Sequence, residues 1–254
     1  MKQEIKELSE KYKLNPLDIR RLNTELELTR LKLEYSIFKA KKERLSLYDS
    51  LVFYAGLKRF TQRLNKKSFE TLKINLKKTN IKDLNEQKIN KISSELFLKS
   101  DYTKNICKHV SPEYCFNYDL WKNTNLNIHF ANATIPKNPL KGKEIGKRKA
   151  ELRRIALIIK RKHPYLKGIF SASWMWNLNV FKEFMPKEFN KSLKEFKENE
   201  FYSLGHWGQF YRSDGNLNQE RIDQFRKNWK FPLKILFGKC ETKYFLDKYL
   251  KEER

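Results

Sequence analysis

The spacing of apolar residues changes period near Asn125, and no single uniform layer can accommodate both halves. Before that point Ile19, Leu22, Leu26, Leu33 and Ile37 recur at helical intervals. Phe53, Leu57, Phe60 and Leu64 repeat the pattern, as do Phe69, Leu72 and Leu76, and then Ile89, Ile92 and Leu96. After it, Leu126, Ile128 and Phe130 alternate with Asn127, His129 and Ala131, which predicts a strand with one polar face. Helices with one apolar stripe must bury it against another surface, so residues 1–100 predict a basic helical layer packed on something else.

The second half predicts alternating strands and helices. A Pro/Lys/Gly loop, Pro136 to Gly142, leads to a helix over Lys143 to Lys162 that ends at His163-Pro164. Leu166 to Trp176 reads as a strand with Phe170, Ala172 and Trp174 on one face and Ser171 and Ser173 on the other. Phe201 to Tyr211 reads as a third strand, turned at Asp214-Gly215, and Asn216 to Trp229 as a helix with a capping box from Asn216 to Gln219. Lys234 to Phe237 and a C-terminal helix complete the order. The expected fold is α/β, or α+β: a mixed sheet with flanking helices over residues 125–254, a connecting loop over 101–124, and the helical region before it.

The chain of 254 residues carries 55 Lys plus Arg against 30 Asp plus Glu, a formal net charge of +25, while 39% hydrophobic and 14% aromatic residues suffice for a core. Charge of this size draws polyanions, so a nucleic acid, the phosphates of a cofactor or an acidic carrier protein is the expected partner. Met1 to Glu10 is charged and without an apolar stretch, and no apolar run approaches the roughly 20 residues of a membrane span. Three cysteines, Cys107, Cys115 and Cys240, are too scattered for a disulfide framework, and the expected location is cytoplasmic. Cys107, His109 and Cys115 lack the paired knuckles of a structural zinc site, so no metal is expected.

Two regions could carry chemistry. Lys141 to Lys162 holds ten Lys/Arg against two Glu, and its helix follows a strand and a glycine-bearing loop. A helix N-terminus offers unpaired N–H groups to phosphate, so Lys143, Gly146, Lys147 and Arg148 are candidate phosphate-binding residues; a solvated basic face is the alternative. Polar residues within apolar strands form the second set. His129 is a candidate general base, and Asn132, Ser173, His206 and Gln209 are candidate positioning groups. Leaving such groups buried and unpaired costs about 1–3 kcal/mol each, so a shared cavity for His129 and the His206-to-Gln209 segment is expected, against private bonding of each to nearby backbone.

The string Gly168-Ile-Phe-Ser-Ala-Ser-Trp-Met-Trp-Asn177, with Phe184-Met-Pro186 and His206-Trp-Gly-Gln-Phe210, resembles a bacterial family of unassigned function. Ile128-His-Phe-Ala-Asn132 and the Pro139 loop belong to the same pattern, which covers about Leu126 to Phe231. The order of elements there is similar to the cofactor half of GNAT-like acyltransferases. That resemblance implies acyl-CoA as donor, its pyrophosphate at the helix after the central strand, and transfer to an amine. Lys143-Glu-Ile-Gly146-Lys-Arg148 meets the GNAT phosphate loop at one glycine only. The competing expectation is an RNA-binding protein without catalysis, gripping phosphate with basic helices and stacking bases on Trp174, Trp176, Trp207 and Tyr211. A scaffold built on the helical half is a third.

Overall fold

A computed structural model describes residues 3–57, 66–108, 113–122, 124–196 and 204–251. The expected mixed sheet with flanking helices is present, preceded by helices.

In the first half, α1 (Gln3–Tyr12) leads into α2 (Pro16–Glu43), which starts where Asn15 caps the Asp18 N–H at 2.9 Å and Pro16 sets the first turn. α3 (Leu47–Ala55), α4 (Lys66–Lys78), α5 (Glu86–Lys99) and α6 (Asp101–Cys107) follow. α2 is not the single-striped helix its spacing predicts. Leu22 and Leu26 pack with Ile5, Phe97 and Ile106, while Leu33 and Ile37 pack with Leu47, Leu51, Leu72 and Leu96. Leu28, Leu31 and Tyr35 pack instead with Trp207, Phe210, Ile222 and Phe225 of the second half. A helix apolar on several sides is a buried helix, and α2 is the spine of the helical layer.

The sheet has the order β1-β2-β3-β5-β4: β1 (Phe116–Trp121), β2 (Asn125–Phe130), β3 (Gly168–Ser173), β4 (Lys194–Glu195) and β5 (Leu236–Glu241). β1 and α6 both lie in the stretch predicted as loop. β2 and β3 are parallel, joined through α7 (Lys143–Lys162), and the other neighbours are antiparallel. One face carries the core: Phe116, Leu126, Ile128 and Ile169 meet Leu152, Ile155 and Ile159 of α7, and Phe245 of α12 (Thr242–Leu250). Gly238 in β5 is obligatory there, since a Cβ would lie 2.4 Å from the ring of buried Phe189 in α9 (Lys187–Lys191), which follows α8 (Asn179–Lys182).

Three expected elements differ. β3 ends at Ser173, where the Ser173 hydroxyl caps a 3₁₀ turn over Trp174–Asn177. Phe170 therefore lies on the face opposite the core, with Trp121 and Phe237, while Trp176 is buried in the core. Leu204–Trp207 is a helical turn, α10, continued by a 3₁₀ turn over Gly208–Phe210, so the expected strand is absent there; Phe201, Tyr202 and Ser203 lie outside the described residues. The helix α11 is Gln219–Asn228, capped by Asn218 rather than Asn216, and the last strand runs on to Glu241.

Candidate functional site

The two parallel strands separate. Their register runs Asn125↔Gly168, Leu126↔Ile169, Asn127↔Phe170 and stops there. β2 continues to Phe130 held by β1, and β3 continues to Ser173 held by β5, so their carboxyl ends are unpaired with each other and flank a mouth in the sheet. In open α/β sheets ligands bind outside the carboxyl ends of the strands, where connections leave in different directions.

A segment from Gly208 to Gly215 crosses that mouth. At the β3 side, Gly208 lies against Trp174, whose Nε1 would stand 3.2 Å from a Cβ placed there. Gln209 is fully buried; its amide donates to the His206 carbonyl (2.9 Å) and accepts from the Leu233 N–H (2.9 Å). At the β2 side, Asn132 Nδ2 donates to the Ser213 carbonyl (3.0 Å) and its Oδ1 accepts from the Thr134 N–H. The helical layer buttresses the strap from outside: the Thr24 hydroxyl donates to the Gly215 carbonyl (2.9 Å), and the Tyr211 hydroxyl donates to Glu25. Asn132, Ser173 and Gln209 thus build the mouth by bonding to backbone.

His129 stands apart from them on the open face of β2. Its Nε2 is 2.7 Å from Asp119 Oδ1 and 3.0 Å from Asn127 Nδ2, with the His129 and Asp119 side chains 52% and 58% exposed. A protonated Nε2 donates to Asp119 and a bare Nε2 accepts from Asn127 Nδ2; in the first of these tautomers Nδ1 carries the lone pair, with no partner among the described residues. The tautomer paired with Asp119 is the one a general base requires. His206 is buried against the Phe231 ring at 4.9 Å between centroids. The expected cavity shared by the His129 and His206-to-Gln209 side chains is therefore replaced by an exposed His129 and a buried, backbone-bonded Gln209.

The start of α7 divides its candidates. Gly142, at φ +53°, turns the loop into the helix. Lys143 is exposed, and a Cβ at Gly146 would meet nothing within 4 Å. Lys147 is 57% exposed and pairs at 2.9 Å with Glu144, whose carboxyl this ammonium holds below its ordinary range. Arg148 points inward: it is 3% exposed, pairs with Glu151 at 2.6 Å and donates to Cys115 Sγ at 2.8 Å. Glu151 in turn accepts from the Phe116 N–H at 2.9 Å. Arg148 is a core ion-pair partner that locks α7 to β1, and it is not available to phosphate.

Two further groups lie beyond the candidates read from the sequence. Asp119 sits in the stretch read as loop, although Phe116, Tyr118 and Leu120 alternate with Asn117 and Asp119 and carry the strand signal. Arg221, at the first turn of α11, reaches the Trp174 ring (5.2 Å) and donates to the Gln209 carbonyl (2.8 Å). Among the described residues no three His, Cys, Asp or Glu come together as a metal site, and His109 lies outside those residues. No described helix is long and apolar enough to cross a membrane. No family model, curated protein or solved structure matches the chain.

Proposed function

We propose that the chain transfers an acyl group from a thioester donor such as acyl-CoA to an amine at the cleft between β2 and β3. The separation of the parallel pair past Asn127 and Phe170 carries this reading. A splayed strand leaves backbone groups that can hold a carbonyl, and a base can take the proton the attacking amine must lose; as the C–N bond forms the C–S bond breaks, and the thiolate leaves to be protonated by solvent. His129 Nδ1 is placed to hold that proton, with Asp119 steadying Nε2. The strand order around α7 also fits the GNAT-like resemblance. The donor would supply an activated carbonyl, and Lys143, Gly146 and Lys147 would face its phosphates; Arg148 is excluded by its burial. The test is calorimetric titration of CoA. Saturable binding, weakened at least about tenfold when Lys143 and Lys147 are both changed to Glu, supports the reading. No heat of binding at millimolar CoA refutes it.

A second reading rests on a different observation. On the open face Trp121, Phe170, Phe237 and Phe196 follow one another at centroid distances of 6.0, 6.0 and 5.9 Å, flanked by Lys194 and Lys239. An aromatic row, exposed at Trp121 and half-buried beyond it, on a basic protein suits single-stranded RNA, with stacking of about 1–3 kcal/mol per base. Fluorescence anisotropy with a single-stranded RNA tests it: binding that Trp121→Ala leaves unchanged sinks that reading.

A further inference from the structure

Arg221 is a half-buried cation with no acid in ion-pair contact among the described residues. Its guanidinium is 5.2 Å from the Trp174 ring centroid, and one N–H is used on the Gln209 carbonyl. Among the described residues no carboxylate lies within ion-pair distance of it; the neighbouring Glu220 interacts only at longer range. Desolvation holds its pKa below the ordinary guanidinium range, with the longer-range attraction of Glu220 too weak to offset it. Among the described residues Arg21, Arg30 and Arg148 are answered, by Asp18, by Glu34 and Glu86, and by Glu151, whereas Arg154, stacked on Tyr114, shares the unanswered state of Arg221.

Trp174 offers a second donor in the same place. It is partly exposed, its Nε1 lies beside Gly208, and that N–H has no acceptor among the described residues. Arg and Trp together thus present N–H groups at the carboxyl end of β3, in the mouth crossed by Gly208–Gly215. The ring holds the guanidinium by a cation–π contact, and the N–H groups not used on Gln209 are left for a planar or tetrahedral oxyanion.

We propose that Arg221 and Trp174 form an oxyanion site, for a carboxylate or phosphate carried by the small ligand that enters the β2–β3 mouth. The proposal takes the location of the site from the acyl-transfer reading and none of its chemistry. It assigns an anionic group to the substrate near the end of β3, on the opposite side of the cleft from β2. The net charge of +25 favours the encounter with any such anion.

The test is a two-dimensional NMR titration of the indole N–H of Trp174, assigned by its loss in Trp174→Phe, with inorganic pyrophosphate and separately with glutarate. The expected result is a saturable shift for at least one probe. Arg221→Lys keeps the charge and a donor for Gln209 but loses the planar fork, so its affinity should fall at least about fivefold to tenfold. Arg221→Gln should abolish the shift while circular dichroism shows a folded chain. Tighter pyrophosphate marks the ligand group as a phosphate, and tighter glutarate as a carboxylate. No saturable shift up to on the order of 10 mM probe, or one that survives Arg221→Gln, overturns the proposal. Because binding of these probes needs neither CoA nor turnover, failure here and failure of the acyl-transfer reading are separate outcomes.

Discussion

Arg148→Ala removes a guanidinium that is 3% exposed and leaves the Glu151 carboxylate, itself buried, without its cation. Breaking one partner of a buried pair costs about 3–5 kcal/mol, most of it the penalty of an uncompensated charge. In a chain of this size that lowers Tm by roughly 6–20 °C. Glu151→Ala should cost a similar amount, since it strands Arg148 and frees the Phe116 N–H that Glu151 accepts at 2.9 Å. Each single change already breaks the pair, so the double variant should cost well under the sum, with a coupling of at least about 2 kcal/mol. Lys147→Ala, on the exposed side of the same turn, should stay within about 1 kcal/mol of the parent. Urea denaturation of the four proteins measures all of this. An Arg148→Ala variant as stable as Lys147→Ala, or strictly additive effects at 148 and 151, would show that the pair does not fasten α7 to β1.

Further outcomes follow from other sites. His129→Ala should leave urea stability within about 1 kcal/mol, because both members of its ion pair are more than half exposed, while acyl transfer to an amine acceptor is lost; a large stability loss would make His129 structural. Gly238→Ala should destabilise by about 1–3 kcal/mol through the clash with the Phe189 ring, and an unchanged denaturation midpoint would contradict the packing there. Burial pushes the Cys240 thiol up to about 12, so it should alkylate far more slowly at pH 8 in the folded than in the unfolded chain. The folded state then holds a proton the unfolded state has released, and stability falls as pH climbs from about 9 toward 12; Cys240→Ser should flatten that fall in a pH series of denaturation midpoints.

Periodicity located what periodicity can locate. The bounds of α7 and the two faces of β2 were legible, because each rests on side chains within one element. The stretch around His206 was not. Trp207 and Phe210 are apolar because they meet Leu28, Leu31 and Tyr35 of α2, far away in sequence, and a tertiary contact of that kind mimics strand alternation. Phe170 misled in the same way: an aromatic residue in a strand reads as core, yet it faces Trp121 on the open side while Ser171 is buried. On the open face of β2, His129 could be singled out by its place among polar residues, whereas Arg148 looked like one more exposed cation. Its burial depends on Glu151 one turn on and on Cys115 33 residues earlier, a pairing no local pattern records. Arg221 escaped notice for the opposite reason, since nothing distinguishes an unanswered arginine until its neighbours are known.

The strap over the cleft is tied to α2 across 191 residues, from Thr24 to Gly215. During synthesis at about 5–20 residues per second, α2 therefore emerges some 10–40 s before its partners. Leu28, Leu31 and Tyr35 spend that interval with no Trp207, Phe210 or Phe225 to cover them. The helical layer can close around the other sides of α2 as soon as α6 is made, but this one face stays open until residues 207–225 have been made. The residues that seal this face of α2 also shape the mouth, so a nascent chain becomes competent to bind a ligand there only once that apolar face is covered.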